Sequence, residues 1–351
     1  GSPPAQPRLP GGTGTEPARH EASAGSGGSA GRTQHPGTGE RLRYEGVPSS
    51  SARGRFALGG ALTPRQRAET RTAYLMLVPS LIGVGVFLLV PVGLVLLISL
   101  SRWDLISEAT WVGLDNYRHI FTSAAFGNSL VVTAAFVLMS IPVSIALGLL
   151  LAVAINRKLP GTGALRVLYV LPWVCAPLAL GVVWRWILDP STGAMNALLG
   201  RRIEWLTDPE LALPSVAFVQ VWSSVGYISL FFLAGLQHIP ASVYEAATLD
   251  GASRRRTLWS ITLPLLRPTM FFVTVTSVIA SFQVFDTVYA MTGGGPGYRT
   301  DVIASRIYNE AFVNLRLGRA AAMAVVLFVI LLAVTFIQQR YFRRRITYDM
   351  S

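Results

Sequence analysis

The chain has 351 residues, of which 51% are hydrophobic and 14% charged, and its formal net charge is +12. The length alone would fit two soluble domains, but long uncharged runs exclude them, since a bilayer core takes about 20 apolar residues per helix. The excess of arginine is not a nucleic-acid signal either, because it lies in short segments between apolar runs, where such charges set membrane orientation.

Residues 1–68 are Gly, Pro, Ser, Ala, Thr and Arg with few large apolar side chains. Such a segment cannot offset its ordering entropy and is expected to be a disordered tail, solvated or touching anionic head groups through its arginines. Six apolar runs follow: Tyr74–Leu100, Ser129–Ile155, Val167–Trp184, Leu211–Gln237, Thr269–Phe285 and Ala320–Gln339. The third and fifth are short and extend through Arg185-Trp186 and Asp286–Ala290. The first is too long for a signal-peptide core. The expected fold is an all-α integral membrane protein: six transmembrane helices within 69–345, a hydrophilic hairpin at 239–268 between the fourth and fifth, and a short tail at 346–351. Pro79, Pro91, Pro142, Pro172 and Pro177 predict kinks within the spans.

With the N-terminus inside, the inner segments hold Arg157, Lys158, Arg166, Arg254, Arg255, Arg256, Arg267, Arg340, Arg343, Arg344 and Arg345. The outer loops hold the smaller set Arg102, Arg118, Arg201, Arg202, Arg299, Arg306 and Arg316. The bias places both termini on the cytoplasmic side. Trp103, Trp111 and Trp205 in the outer loops fit an interfacial aromatic belt. The glycine run at 293–295 reads as a flexible turn, with no Lys-Ser/Thr after it to make a phosphate loop. Gly318 and Ala322 suit close helix contact, Arg185 and Asp189 read as a structural pair, and the single cysteine, Cys175, as a packing residue. Trp173, Trp184, Trp186 and Trp222 are candidates to line the path, with core or belt packing the favoured role for any one of them.

Polar side chains within spans are costly and mark candidate sites. In the fourth span Gln220, Ser224 and Tyr227 share a helical face, beside Trp222 and Ser223. The fifth adds Ser281, Gln283, Asp286 and Tyr289, of which Gln283, Asp286 and Tyr289 share a face by their three-residue spacings. Asp286 pairs with an arginine, caps the span, or serves a ligand.

The hairpin, EAATLDGASRRRTLWSITLPLLRP at 245–268, is out of place in so apolar a chain. Pro240 can start a short helix, Ser242 can cap it with Glu245 in a capping box, and Gly251 can end it. Pro264 and Pro268 break the second arm. As mere structure, Glu245 is a cap and the arginines are inside anchors. The motif says more: Glu245-Ala246-Ala247, Gly251, Ile261 and Leu263-Pro264 resemble the EAA signature of the permeases of ATP-binding-cassette importers.

VGLDNYRHIF (112–121), LPWVCAPLALGVVWRWILDPSTGAMNALL (171–199), LFFLAGLQHIP (230–240) and VFDTVYAMTGGGPG (284–297) extend the resemblance to the sugar-importer permeases of that family. ALRVLYVLPWVCAPLA, IEWLTDPELALP and YFRRRITYD are similar to amino-sugar permeases of the mycobacterial Usp type. The resemblance implies a cytoplasmic-membrane subunit that forms half of a translocation path. Its partners would be a second permease, two ATPase subunits that bind Mg-ATP, and a lipid-anchored extracytoplasmic binding protein; no nucleic acid is implied. It also makes the hairpin a coupling helix docked on an ATPase, through Glu245, Ala246, Ala247, Asp250, Gly251, Ile261, Leu263 and Pro264.

In maltose-importer permeases, sugar contacts come from the stretches holding Gln220, Ser224, Tyr227, Ser281 and Gln283. Amide, hydroxyl and aromatic groups suit a sugar, and Asp286 and Tyr289 complete the expected path, Asp286 suiting an amino sugar's ammonium. A glycerol-phosphate-type solute and an ion-coupled transporter working through Asp286 are the alternatives. No engine is encoded: Lys158, the sole lysine, lies in no phosphate loop, His20, His35, His119 and His238 are scattered, and no catalytic residue, metal or cofactor is expected in this chain.

Overall fold

A computed structural model of the chain describes residues 64–156 and 162–343. Residues 1–63 of the expected tail at 1–68, the tail at 346–351, and Arg157, Lys158, Arg344 and Arg345 lie outside the described residues, whereas residues 64–68 are helical, continuing into the first long helix. Among the described residues the protein is mostly helical. Four helices are long and apolar enough to cross a membrane, and six segments are if each of two bent pairs counts as one span.

Helix α1 (Glu69–Ser99) turns its apolar residues outward, Leu75 being 69% and Phe87 83% exposed. Its last turns pack against α13, the final helix. A wider turn at Gly85–Leu89 precedes Pro91, which has no N–H to continue the regular ladder. A two-rung hairpin of β1 (Ser101–Arg102) and β2 (Thr110–Trp111) follows, then α2 (Asp115–Thr122). Asn116 Nδ2 donates to the carbonyls of Ser99 and Ser101, both at 2.9 Å, and fixes this corner.

The frame of the molecule is α3 (Ala124–Ile155) against α7 (Ala212–Gln237). Between them Phe136 and Phe232 are fully buried. In lipid such contacts are stabilised by close packing rather than by release of water, so small residues matter at crossings. The crossing of α3 and α7 is marked by Ser144 and Ser224, whose hydroxyls are 3.1 Å apart. A third core joins Ile120, Phe126 and Ile303 to Ala322 and Met323 of α13 (Leu317–Phe342). Gly318 and Ala322 are buried there, as their small size predicts.

The third span is not a straight helix. It divides into α4 (Thr162–Val174) and α5 (Pro177–Ile187), which meet at 94°. Pro177 is the cause: it pushes Ala176 to an extended conformation, φ −59° and ψ 124°, which no helix continues. A surface helix, α6 (Ala194–Leu199), follows. The hairpin consists of α8 (Ala241–Leu249) and α9 (Arg254–Leu265), and α9 meets α10 (Arg267–Phe282) at 68°. After α10 come the short α11 (Asp286–Met291) and α12 (Ile303–Tyr308).

The fifth span therefore also departs from expectation. It ends at Phe282, and Gln283 (φ −97°, ψ 7°) and Phe285 (φ −134°, ψ −58°) leave helical geometry. The glycine run is not a loose turn. Thr300 Oγ1 donates to the Gly295 carbonyl at 2.6 Å, Asn128 Nδ2 donates to the Tyr298 carbonyl at 3.0 Å, and the Ile303 N–H donates to Thr133 Oγ1 at 2.8 Å. The loop is tied to α3 at two points. Nor does Arg185 pair with Asp189. The Asp189 carboxylate accepts from the backbone N–H groups of Thr192 (2.7 Å) and Ser191 (2.9 Å), which hold it below the usual carboxylate range.

Candidate functional site

A cavity of about 360 Å³ lies where α3, α4, α7 and α10 converge. It is lined by Ser140 and Ser144 of α3, Trp173 of α4, Gln220, Ser223, Ser224 and Tyr227 of α7, Thr276, Ser277 and Ser281 of α10, and Thr287 of α11. Four residues of the expected path, Gln220, Ser224, Tyr227 and Ser281, are thus brought together. Both helix breaks border this space: Cys175 and Pro177 flank the first, and Ser281 and Thr287 flank the second. Beyond the breaks, α5 and α11 pack closely, and a Cβ on Gly181 would stand 2.6 Å from that of Ala290. Interrupted membrane helices of this kind place polar backbone and side chains at a cavity instead of in lipid.

Four hydroxyls of the lining are oriented by their own helices. Ser140 Oγ donates to the Phe136 carbonyl at 2.7 Å, Ser223 Oγ to Gln220 at 3.0 Å, Ser224 Oγ to Val221 at 3.2 Å, and Thr276 Oγ1 to Phe272 at 2.9 Å. Each spends its proton on a backbone carbonyl and keeps its oxygen lone pairs as acceptors. Trp173 stacks on Tyr227 with ring centroids 4.2 Å apart and planes 11° from parallel. Among the described residues the lining contains no Asp, Glu, Lys, Arg or His. It is a neutral wall of hydroxyls, one amide, a stacked aromatic pair and apolar side chains.

Gln283, Asp286 and Tyr289 are not part of that wall. Gln283 is exposed at the break, Asp286 is exposed as the first residue of α11, and Tyr289 stacks on Phe285 at 5.2 Å and meets Tyr308 at 5.6 Å. The expected common face of Gln283, Asp286 and Tyr289 fails because the helix that would carry it stops at Phe282. Asp286 forms no ion pair among the described residues; it opens a helix whose N-terminus favours an acid. Sequence reasoning did not single out Ser140, Ser144, Thr276, Ser277 and Thr287, and it weighed Trp173 between path and packing. The signal available was the spacing of Ser140, Ser144 and Gly148 along one face of α3.

The hairpin is a well-defined corner. Gly251 has φ +69°, the Ala252 N–H donates to the Ala247 carbonyl at 2.9 Å, and the Gly251 N–H donates to Thr248 at 3.0 Å. This double bond pattern closes a helix only when the residue after its end is left-handed, which glycine permits. The capping box is absent. Pro240 is the N-cap of α8, so Ser242 lies inside the helix and caps nothing. Ser253 caps the other arm, its Oγ accepting from the Arg256 N–H at 3.3 Å. The Tyr244 and Thr262 hydroxyls, 3.5 Å apart, join the arms.

Glu245, Ala246 and Asp250 are exposed, whereas Ala247 is buried against the chain's own fold rather than available for docking. Ile261, Leu263 and Pro264 are half-buried along α9. Leu249, which the sequence reading passed over, is 89% exposed beside the corner.

Bent membrane helices around a largely apolar cavity dotted with hydroxyls and one amide, with a rigid hydrophilic corner between two of them, fit a membrane transport subunit rather than a soluble binding module. Residues 144–348 match the family described as binding-protein-dependent transport system inner membrane component, and the chain belongs to that family. It is 38% identical over 280 residues to the sn-glycerol-3-phosphate transport system permease protein UgpA of Agrobacterium fabrum, covering 78% of this chain and 96% of that protein. It is 35% identical over 283 residues to the trehalose/maltose transport system permease protein MalF of Thermococcus litoralis, covering 79% and 95%.

Among solved structures, a bacterial ABC transporter involved in import of the acidic polysaccharide alginate superposes with TM-score 0.70 at 26% identity, covering 80% of this chain and 98% of that one. The same kind of transporter in complex with an alginate pentasaccharide-bound periplasmic protein gives 0.69 at 25%, covering 80% and 96%. The protein is an inner-membrane permease subunit of an ABC importer.

Proposed function

We propose that this subunit forms half of the translocation path for a carbohydrate, and that the cavity at the helix breaks is where its sugar rings pass. The neutral lining carries the reading. Serine and threonine acceptors receive sugar hydroxyls, Gln220 both donates and accepts, and the exposed side of the Trp173–Tyr227 stack takes the apolar face of a ring. A phosphate ester would draw on a cation in the wall, and among the described residues this wall has none. The trehalose/maltose permease and the alginate transporter among the similar proteins support the same solute class.

Within that class an amino sugar fits if its ammonium reaches Asp286, next to the cavity residue Thr287. The similarity to a glycerol-phosphate permease favours a second reading, a glycerol-phosphate-type solute, whose cation would then come from the other half of the path. Membership of an ABC importer family leaves no place for the ion-coupled alternative.

The remaining parts follow the resemblance. A second permease completes the path, two ATPase subunits bind Mg-ATP, and an extracytoplasmic binding protein delivers the solute, as the alginate complex holds a periplasmic protein. Both termini face the cytoplasm, and the 245–251 corner transmits ATPase closure to α7 and α10 as an element whose position both sites bias.

The test is ATPase activity of the purified complex with its binding protein, across neutral disaccharides, amino sugars and glycerophospho-compounds. Stimulation by a neutral or amino sugar supports the reading. Stimulation by glycerophospho-compounds alone overturns it in favour of the second.

A further inference from the structure

The coupling corner has a second arm that its helix-capping role does not explain. In α9, Arg254, Arg255 and Arg256 are consecutive and exposed, and Trp259 is 64% exposed. Arg255, Arg256 and Trp259, which stands in a wider turn at Leu258–Thr262, are all exposed and so lie on the open side of the arm. Thr257, Leu258, Ile261 and Thr262 face the other side, half-buried or buried. The segment 253–268 contains no acid, and among the described residues none of the three arginines joins an ion pair. Three cations in the first turn of a helix also oppose its macrodipole. A cluster with that local penalty is stabilised by an anion from outside the chain.

The geometry identifies the anion. α9 runs into α10 with one residue between them and a bend of 68°. When α10 crosses the bilayer, α9 lies much nearer the membrane plane than its normal, at the level where α10 begins. An interfacial segment with guanidinium groups and an exposed indole on one side has the composition of a headgroup anchor. We infer that Arg255, Arg256 and Trp259 form a binding site for an anionic phospholipid, whose phosphate lies between the guanidiniums and whose glycerol–acyl boundary meets the indole.

This holds the fixed arm of the corner to the membrane surface while α8 remains free to dock elsewhere, so anionic lipid tunes how firmly the corner moves α10. The inference rests on α10 spanning the membrane and is independent of which solute is carried.

The experiment uses the complete transporter in nanodiscs of phosphatidylcholine alone or mixed with phosphatidylglycerol. A headgroup-proximal spin label is placed on one lipid species at a time. The reading is the part of tryptophan quenching that disappears in Trp259→Phe. We expect that part to be larger with labelled phosphatidylglycerol than with labelled phosphatidylcholine, and to fall in Arg255→Gln/Arg256→Gln. Each arginine near a headgroup surface raises anionic-lipid affinity about fivefold, so the double variant should hold phosphatidylglycerol on the order of 25-fold more weakly.

Equal quenching by the two lipids overturns the inference. So does a double variant that loses ATPase stimulation equally in both membranes with its lipid contact unchanged, which would assign the arginines to an ATPase surface. Wild-type solute-stimulated ATPase, measured in the same discs, reports separately on the transport reading.

Discussion

Asp301 and Arg306 form an ion pair at the base of the 292–302 loop, the carboxylate 2% and the guanidinium 12% exposed. Arg306 also lies under the Tyr298 ring, 5.2 Å from its centroid. Burial raises the Asp301 carboxyl above its usual range despite the opposing pull of Arg306. Desolvation therefore outweighs the attraction, as is common for buried pairs.

The two halves of the pair are not equivalent to remove. Asp301→Asn leaves a guanidinium that cannot lose its proton, and should destabilise by about 3–5 kcal/mol. Arg306→Met leaves a carboxyl that can take up a proton, and should cost less. With Arg306 gone, the folded-state value rises further above the unfolded one near 3.9. The folded state then binds its proton first, so the Arg306→Met penalty is full above the raised value and disappears as pH falls towards about 4. Thermal unfolding of both variants against pH checks this: a pH-independent Arg306→Met deficit would contradict it.

Gly226 allows α4 to lie on α7, because a Cβ there would overlap the Tyr169 carbonyl. Backbone cannot retreat as a side chain can, so Gly226→Ala should destabilise by about 1–3 kcal/mol. The corresponding change at Gly127, which faces open space within α3, should stabilise by up to about 1 kcal/mol. A matched pair of melting curves in detergent distinguishes the two.

Much of the site was legible, for identifiable reasons. Gln220, Tyr227 and Ser281 stood out because polar groups are costly in an apolar span. Gly251 stood out because a helix end with a left-handed residue selects glycine. Ser140, Ser144 and Thr276 gave little signal, since a hydroxyl that bonds back to its own helix is nearly silent in an apolar sequence. The break at 283–285 contains neither proline nor glycine. It follows from the packing of α11 against α5, a tertiary relationship that periodicity cannot carry. The capping box failed for the opposite reason: Pro240 fixed the helix start locally, two residues before Ser242.

The cavity wall predicts a graded response to substitution. Gln220→Leu removes a hydrogen bond to a neutral solute that contributes about 0.5–1.5 kcal/mol, so the KM for uptake should rise roughly 2- to 10-fold. Tyr227→Ala removes the support of Trp173 and should act in the same direction more strongly. Asp286→Asn, outside the wall, should leave uptake of a neutral sugar unchanged and impair uptake of an amino sugar. Uptake assays with both solutes decide it. Loss of neutral-sugar transport in Asp286→Asn would move the path onto the Gln283–Tyr289 side.

The corner's backbone geometry and its surface charge should fail in different ways. At φ +69° a Cβ costs about 1–2 kcal/mol, and asparagine tolerates that conformation better than other residues with a side chain. Gly251→Ala should therefore lower the transport obtained per ATP hydrolysed, and Gly251→Asn should restore much of it. Glu245 is exposed, so Glu245→Arg should leave the fold and the melting temperature intact while abolishing solute-stimulated ATPase in the assembled complex. Normal uptake by Glu245→Arg would remove α8 from the coupling interface. If Gly251→Ala and Gly251→Asn were equally impaired, the requirement would lie in the missing side chain of Gly251 and not in its left-handed backbone.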